Sequence, residues 1–560
     1  MTIFDYLFAV IPMLVILIFV HELGHFAVAK WCGVRVLKFS LGFGPPIGFG
    51  NLRLRWERGG TEYVIAWFPI GGFVKMLGEN LQVQGEEPLV ADAAPDEYLS
   101  AKPTWQKLAI TFAGPLMNLL LPVVGFMGVL AVGVPRPAAV IGMVETASPA
   151  EAAGLAPADR ILTIDGDQVA WWRDIDEHVR EAAGRTLALE VERGDEILAL
   201  ELAVTTRSAI DEFGSVSDRG FAGIGSRRLP TLLGIPTTGT AAAAAGLQSG
   251  DRVVTVAGES VEDWQALRRV YATASQAGGV VRFEVARVRG EEEAEVVVDV
   301  PARRALSALG VVPATILVRS VSADMPASRA GLAPGDLILS VDGRPVGSFA
   351  SFQQTVRVSR GRPLEITYSR GGETTTVSMQ PEKKAVQGLL GIEGMDEEVY
   401  LIGITHALAT LPGVERLDRV RNPIVAIPRA VEMTVDTTVL FLRGLGKLVT
   451  GEVGTDKLAG PIGIAEIARK SLDLGWQAYL STMILISINL GILNLLPIPI
   501  LDGGQALIYI VEGVKRAPIS LRTRELVQSV GLTFLIMLMG LAFWNDLSRH
   551  FSRLLDWLSS

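Results

Sequence analysis

His21-Glu22-Leu23-Gly24-His25 sets two imidazoles four residues apart with a carboxyl group beside them. On a helix, positions i and i+4 share one face, so both rings can reach one metal ion while Glu22 acts on a water next to it. The chemistry this suggests is metal-assisted hydrolysis. Only five histidines occur in the chain, and His178, His406 and His550 read as surface or packing residues. A catalytic zinc takes three protein ligands and keeps one position open, so a third ligand must come from elsewhere. Asp502 is the candidate, at the end of the apolar run Asn494 to Gly504, which reads NLLPIPILDGG. A plain Asp-Gly turn is the other reading of Asp502, and the depth of the histidines decides between them. Covalent catalysis lacks its parts: Cys32 is the single cysteine, the motif histidines are its only visible base, and no G-x-S-x-G elbow occurs.

The elements that must position these groups are membrane spans. The chain has 560 residues, 49% hydrophobic and 20% charged, and its mean hydropathy is positive although long stretches are polar. The apolar residues are therefore gathered in blocks. Four blocks stand out: Tyr6 to Val20, running into the HExxH motif, then Ile110 to Val134, Leu474 to Leu501 and Leu526 to Asn545. No Lys or Arg precedes Tyr6 and no small-residue cleavage site follows the first block, which argues for a retained span over a signal peptide. Lys30, Arg35 and Lys38 follow span one, and Lys515, Arg516, Arg522 and Arg524 separate spans three and four, so both loops are expected in the cytoplasm. Residues 135 to 473 and both termini then lie outside. Spans one and three run in the same direction, which brings His21, His25 and Asp502 to one depth near the cytoplasmic face. A net charge of -9 excludes the basic face that nucleic acid requires, and one cysteine excludes an internal disulfide.

The outer region repeats itself. Gly154-Leu155-Ala156-Pro157-Ala158-Asp159, Gly246-Leu247-Gln248-Ser249-Gly250-Asp251 and Gly331-Leu332-Ala333-Pro334-Gly335-Asp336 each follow a run of mostly small residues and precede a strand, a turn, a helix and two more strands. This pattern resembles the PDZ domain in the permuted order of bacterial proteases, over about residues 138 to 395. Gly223-Ile224-Gly225, Leu309-Gly310-Val311 and Leu390-Gly391-Ile392, an apolar-Gly-apolar step or a close variant, stand where that resemblance places a carboxylate-binding loop, so Gly223, Ile224, Gly310 and Gly391 are the candidate peptide contacts. Capture of unfolded or C-terminal peptides by strand addition is one expectation, and spacers or a steric filter the other.

With His21-Glu22-Leu23-Gly24-His25 in span one and NLLPIPILDGG in span three, the chain resembles the site-2 protease family of regulated intramembrane proteolysis. Gly460-Pro461-Ile462-Gly463-Ile464-Ala465 and Ala113-Gly114-Pro115-Leu116-Met117-Asn118 are similar to that family as well. The resemblance implies zinc held by His21, His25 and Asp502, Glu22 as the base, and Asn494 on the substrate backbone. It also implies anti-sigma factors and signal-peptide remnants as substrates, cut after another protease has trimmed them. In one respect this chain departs from the pattern, with three PDZ-like repeats for an expected two.

The expected fold is a polytopic α-helical membrane protein of four transmembrane helices, with a membrane-associated β-hairpin and an inserted periplasmic array of PDZ-like α+β domains. The divisions are 1–134 (spans one and two, with a re-entrant β-loop at about 60–76), 138–225, 226–312 and 313–395 (the repeats), 396–473 (an amphipathic linker helix) and 474–560 (spans three and four). In the β-loop, Thr61, Tyr63, Ile65, Gly71 and Gly72 are candidate substrate contacts, and apolar Trp67, Phe68 and Phe73 favour the bilayer over an ordinary hairpin. In the linker, Ile427, Val431, Val435, Thr438, Leu442, Leu445 and Val449 form an apolar stripe for the outer leaflet or for the repeats. The reading is a zinc endopeptidase of the bacterial inner membrane. Its alternatives are a silent PDZ scaffold with a structural zinc, and a metal transporter, against which the polar groups cluster at one depth.

Overall fold

A computed structural model of the chain describes residues 3–49, 52–79, 93–211, 215–289, 292–386, 397–451 and 459–559. The chain forms two units: residues 1–134 with 387–396 and 419–560, and residues 135–386 with 397–418.

The first unit is helical. Its helices are α1 (Ile3–Trp31), α2 (Thr104–Val132), α3 (Pro423–Val449), α4 (Pro461–Asp473), α5 (Trp476–Leu495), α6 (Asp502–Lys515) and α7 (Leu521–Ser559). Among the described residues, four stretches are long and apolar enough to cross a membrane: Phe4–Trp31, Thr104–Val132, Trp476–Leu495 and Leu521–Ser548. α1 does not stop at the polar motif but carries it inside the helix to Trp31. α5 ends six residues before the apolar block does, because Pro497 and Pro499 cannot continue the helical hydrogen bonding. The chain then turns back, and Asp502 opens α6. A Cβ on Gly503 would lie 2.3 Å from the Leu495 and Leu496 carbonyl oxygens, and one on Gly504 would lie 2.2 Å from that of Ile498. Both glycines are there for space.

α1 crosses α2 closely, at Gly24 against the Ala113 carbonyl, as small residues allow in spans. Ala426, Ala430 and Thr434 of α3 are buried, and Phe441 packs with Leu119 and Phe126 of α2 on Ile484, Ile488 and Ile492 of α5. Ile427, Val431, Val435 and Leu442 are all exposed instead. α4 is held at its start by Asp546 of α7, whose buried carboxylate accepts hydrogen bonds from the backbone amides of Gly460, Ile462 and Gly463 at 3.0, 3.0 and 3.1 Å. The Gly460 motif is visible in the sequence, and its partner Asp546 lies 86 residues on.

Between spans one and two lies a sheet of β1 (Val36–Pro46), β2 (Arg55–Arg58) and β3 (Thr61–Met76). The expected hairpin is not formed within Gly60 to Met76. β1 runs between the two halves of β3 instead: Ser40 pairs with Val64 on one side and Phe73 on the other. Trp56 and Tyr63 of β2 and β3 pair on the far side of the first half. Phe43, Trp67 and Phe68 are exposed on this sheet, and Phe49 on the short ladder of Gly48–Phe49 with Leu52–Arg53 beside it.

The second unit holds three four-stranded sheets of one topology. Their inner strands are Arg160–Ile164 with Thr186–Arg193, Arg252–Val256 with Val280–Arg289, and Leu337–Val341 with Leu364–Arg370. Each sheet packs on a helix, Trp172–Glu181, Trp264–Ser275 or Phe349–Val358, and the cores are separate, as with Ile164 and Ile175, Val256 and Leu267, or Val341 and Phe352. The repeated aspartate explains itself here. Asp159, Asp251 and Asp336 are buried, and each takes two hydrogen bonds from an arginine 34 to 36 residues later: Arg193, Arg287 or Arg370. The same arginine donates to the carbonyl of the repeat's first glycine, Gly154, Gly246 or Gly331. Hydrogen bonding to Asp251 pushes the Arg287 guanidinium above its usual pKa. Arg287 is itself buried, with 9% of its side chain exposed against 41% for Arg193 and 51% for Arg370. Removing one partner of a buried pair strands the other charge and costs about 3–5 kcal/mol. Arg287→Met is therefore expected to destabilise the second repeat by that amount and Arg193→Met to cost less, as read by pulse proteolysis with cuts mapped in the full chain. Equal losses would show that burial of the arginine does not set the cost.

Candidate active site

The two imidazoles meet at the crossing of α1 with α2. His25 Nδ1 donates to the Ile110 carbonyl at 2.8 Å, which leaves its Nε2 without a proton and free to ligate. His21 Nε2 lies 3.2 Å from His25 Nε2. The Asp502 carboxylate closes the triangle, with Oδ2 3.2 Å from His21 Nε2 and Oδ1 3.5 Å from His25 Nε2. Among the described residues, these three form the group whose donor atoms converge in this way. A tetrahedral ion with ligands at about 2.0–2.2 Å has ligand-to-ligand edges of roughly 3.3–3.6 Å. The donor set and its spacing fit zinc.

A second layer fixes these ligands. Asn118 of α2 is fully buried, its amide nitrogen is 3.1 Å from His21 Nδ1, and its Oδ1 has no hydrogen-bond partner. Turning the amide over lets that oxygen accept Nδ1–H, the tautomer in which His21 Nε2 is the metal ligand. Asn118 is anchored in turn, as its carbonyl accepts from Ser487 of α5 at 2.7 Å. Gly114, one turn earlier on α2, faces the rings directly: a Cβ there would sit 2.3 Å from His25 Nε2 and 2.8 Å from His21 Nε2. The run from Ala113 to Asn118 was legible as a motif. That it supplies both the space and the second-layer bond was not.

Glu22 is half-buried and lines, with the three ligands, a cavity of about 230 Å³. Gly72 and Phe73 of β3 form one wall of it, and Tyr509 of α6 and Arg524 of α7 belong to another. A Cβ on Gly72 would lie 3.1 Å from Glu22 Cγ, so this glycine lets the strand pass against α1. The half of β3 from Gly72 to Met76 pairs only with β1, and its other edge is open among the described residues. Thr61, Tyr63 and Ile65 sit elsewhere. They lie in the half that β1 and β2 flank on both sides, where Thr61 is buried with its hydroxyl on the Val36 carbonyl and Tyr63 stacks on Trp56. Gly71, at φ +107°, makes the bend, with the Phe43 ring against it. Asn494 is half-buried in the last turn of α5 and does not line the cavity.

The sequence profile of peptidase family M50 matches residues 9–538. The chain belongs to peptidase family M50. Among the M50 relatives, the regulator of sigma-E protease RseP of Escherichia coli K12 is 31% identical over 538 residues, covering 95% of this chain and 96% of that protein. A regulator of sigma E protease of Salmonella typhi is 32% identical and covers 97% and 98%. A protein of Neisseria meningitidis serogroup A that is named as a zinc metalloprotease is 28% identical and covers 97% and 99%. Among solved structures, a PDZ domain of an SdrC-like protein of Listeria monocytogenes is 25% identical, covers 17% of this chain and 90% of that one, and has a TM-score of 0.14.

In the repeats of this M50 peptidase, Gly223 and Gly310 stand at φ +77° and +81°, each against the residue that caps a short helix, Ser148 or Thr240. Gly391 lies outside the described residues. Gly403, at φ +83° against the capping residue Met325, holds the equivalent position in the third repeat, and the strand after it, Ile404–His406, pairs with Val318–Val321. Ile402-Gly403-Ile404 carries the same apolar-Gly-apolar step, so the sequence contained the signal twelve residues further on.

Proposed function

We propose that this M50 peptidase is a zinc-dependent endopeptidase of the bacterial inner membrane that cuts single-span membrane proteins within the bilayer. The observation that carries the reading is the triangle of His21 and His25, inside a helix of spanning length, with Asp502, which opens the short helix after the third span, and Glu22 in the same cavity. Zinc, when bound, supplies Lewis acidity toward the scissile carbonyl and makes water a nucleophile at neutral pH. Glu22 takes the proton from that water and returns it to the leaving amine, so no covalent intermediate with the protein is needed. A helical substrate hides its amides, and must be unwound before it is cut. The open edge of β3 at Gly72 to Met76 suits this, since a freed strand there exchanges its internal hydrogen bonds for bonds to the sheet. Asn494 stands further off, as a support for substrate on the α5 side.

The excess of Lys and Arg after span one and between spans three and four supports an active site toward the cytoplasm and the repeats in the periplasm as PDZ-like domains. The exposed stripes of α3 and the β1–β3 sheet are then lipid-facing. The Escherichia coli and Salmonella relatives are named as regulators of sigma E protease, and anti-sigma factors, cut after another protease has trimmed their outer parts, are the substrate class that the family resemblance implies.

The test is cleavage of a model single-span substrate by purified protein in detergent, beside a chelated sample that is then given zinc back. Cleavage lost on chelation and restored by zinc is expected. Inactivity throughout, with zinc bound, would count for the scaffold. Asp502→Asn is expected to lower zinc content at least tenfold, since the amide loses a charge at a site of two neutral imidazoles. Wild-type zinc content by elemental analysis would place the third ligand elsewhere.

A further inference from the structure

The half of β3 that lines the active-site cavity ends in a turn. Leu77, just after the strand, donates its amide to the Arg35 carbonyl beside β1 at 2.9 Å. The backbone groups of Met76, one residue earlier, therefore point the other way, toward the open edge, and those of Gly72 and Val74 do so by the same alternation. The edge is a row of three pairing positions, at Gly72, Val74 and Met76, and all three residues line the cavity. Gly72 stands at the catalytic end of the row, against Glu22.

Met76, at the other end, is already taken. Glu79 Oε2 accepts the Met76 N–H at 3.4 Å, and the Glu79 N–H donates to the Met76 carbonyl at 3.4 Å. The second bond closes a turn of Met76, Leu77, Gly78 and Glu79, in which Gly78, at φ +79°, supplies the positive φ that a type II turn requires at its third position. Both bonds are long, and it is the anchored turn that keeps the carboxylate at the edge. Leu77 is buried at 1% exposure and its carbonyl accepts the Leu99 amide at 2.8 Å. A Cβ on Gly78 would lie 3.0 Å from Ser100 Oγ and from Tyr98 Cδ1, so the turn is pressed against that segment.

Main-chain hydrogen bonds are alike at every residue of a strand, so an enzyme that grips its substrate by strand addition must supply a stop of its own. We propose that Glu79 is a positioning residue that ends the substrate-binding edge and so selects which peptide bond reaches the metal. The proposal rests on the reading of β3 as the strand that receives the unwound substrate. With Met76 closed, an added strand bonds at Gly72 and Val74, and its register is fixed. With Met76 open, the same strand could bond at Val74 and Met76 instead, displaced by two residues, or roughly 6.5 Å. A slip of one residue turns every side chain to the opposite face and is resisted by the side chains themselves, whereas a slip of two keeps the faces and is the error that needs a stop.

Mass spectrometry of the products of a model single-span substrate, cleaved by the purified full chain in detergent, reads the register directly. Wild-type protein is expected to cut chiefly at one bond. Glu79→Ala frees the Met76 N–H, and a second cut two residues from the first is expected to rise at least tenfold over its wild-type share. Glu79→Gln, whose amide oxygen can accept the same N–H, is expected to keep the wild-type cut. Glu79→Ala protein that cleaves only at the wild-type bond would overturn the stop, and so would a second cut as large in Glu79→Gln as in Glu79→Ala. Loss of cleavage in Glu79→Ala, with or without loss of zinc, would move Glu79 into the chemistry or the metal site and end its role in register. Each of these outcomes has a cleaving wild type beside it, whereas an inactive wild type would fall on the protease reading itself and take the proposal with it.

Discussion

Glu22→Gln is expected to leave zinc content at the wild-type level and to lower the cleavage rate by about 10²–10⁴, the range that a positioned acid–base group contributes. The substitution keeps the shape of the side chain, so the contact with Gly72 at the cavity wall survives. It touches none of the three ligands, whose geometry is set by Ile110, Asn118 and the start of α6. What it removes is a group that can accept a proton from water and hand it to an amine, because an amide does neither near neutral pH. Elemental analysis and single-turnover cleavage of the same sample check both halves. Turnover within tenfold of wild type would take the role of base away from Glu22. Loss of zinc would make Glu22 part of the metal site.

Gly114→Ala is the second large effect. One methyl group placed 2.3 Å from His25 Nε2 and 2.8 Å from His21 Nε2 cannot be met by a small rotation of the rings. His25 is pinned by its bond to Ile110 and His21 by Asn118, and both partners lie on the same α2 that would carry the methyl. The rings must leave those bonds or α2 must move off α1, and each route opens the triangle with Asp502. Zinc content is expected to fall at least tenfold, with cleavage falling alongside it. Gly128→Ala is the control, since on the same helix its added Cβ meets nothing within 4 Å. A Gly114→Ala protein with full zinc content would show that α2 does not press on the ligands.

The three converging side chains were legible because metal chemistry demands particular residue types at a particular helical spacing, and because ionisable groups in apolar blocks are rare. The repeats were legible because each copy carries the same glycine, leucine and aspartate at fixed intervals. Partners distant in sequence were not. Nothing local to Gly460 announces Asp546, and nothing local to Asp251 announces Arg287. The strand contacts at Thr61, Tyr63 and Ile65 followed from alternation, which finds a strand but not which of its edges is taken. That depended on β1 entering between the two halves of β3, a long-range pairing. The span boundary at Leu495 was blurred for another reason, as apolar composition continues through two prolines that end the helix.

The three aspartate–arginine pairs carry a consequence for how such a chain changes over generations. Each pair, with its own core, closes inside one repeat, while the outer surface faces whatever happens to be adjacent. A copy inserted by duplication arrives with its folding determinants complete, and only its outer residues must be fitted to new neighbours. Selection can then act on the Gly223 side of a repeat without disturbing the Asp159 side. The number of repeats is free to vary in whole units, while the helices that carry His21, His25 and Asp502 stay as they are.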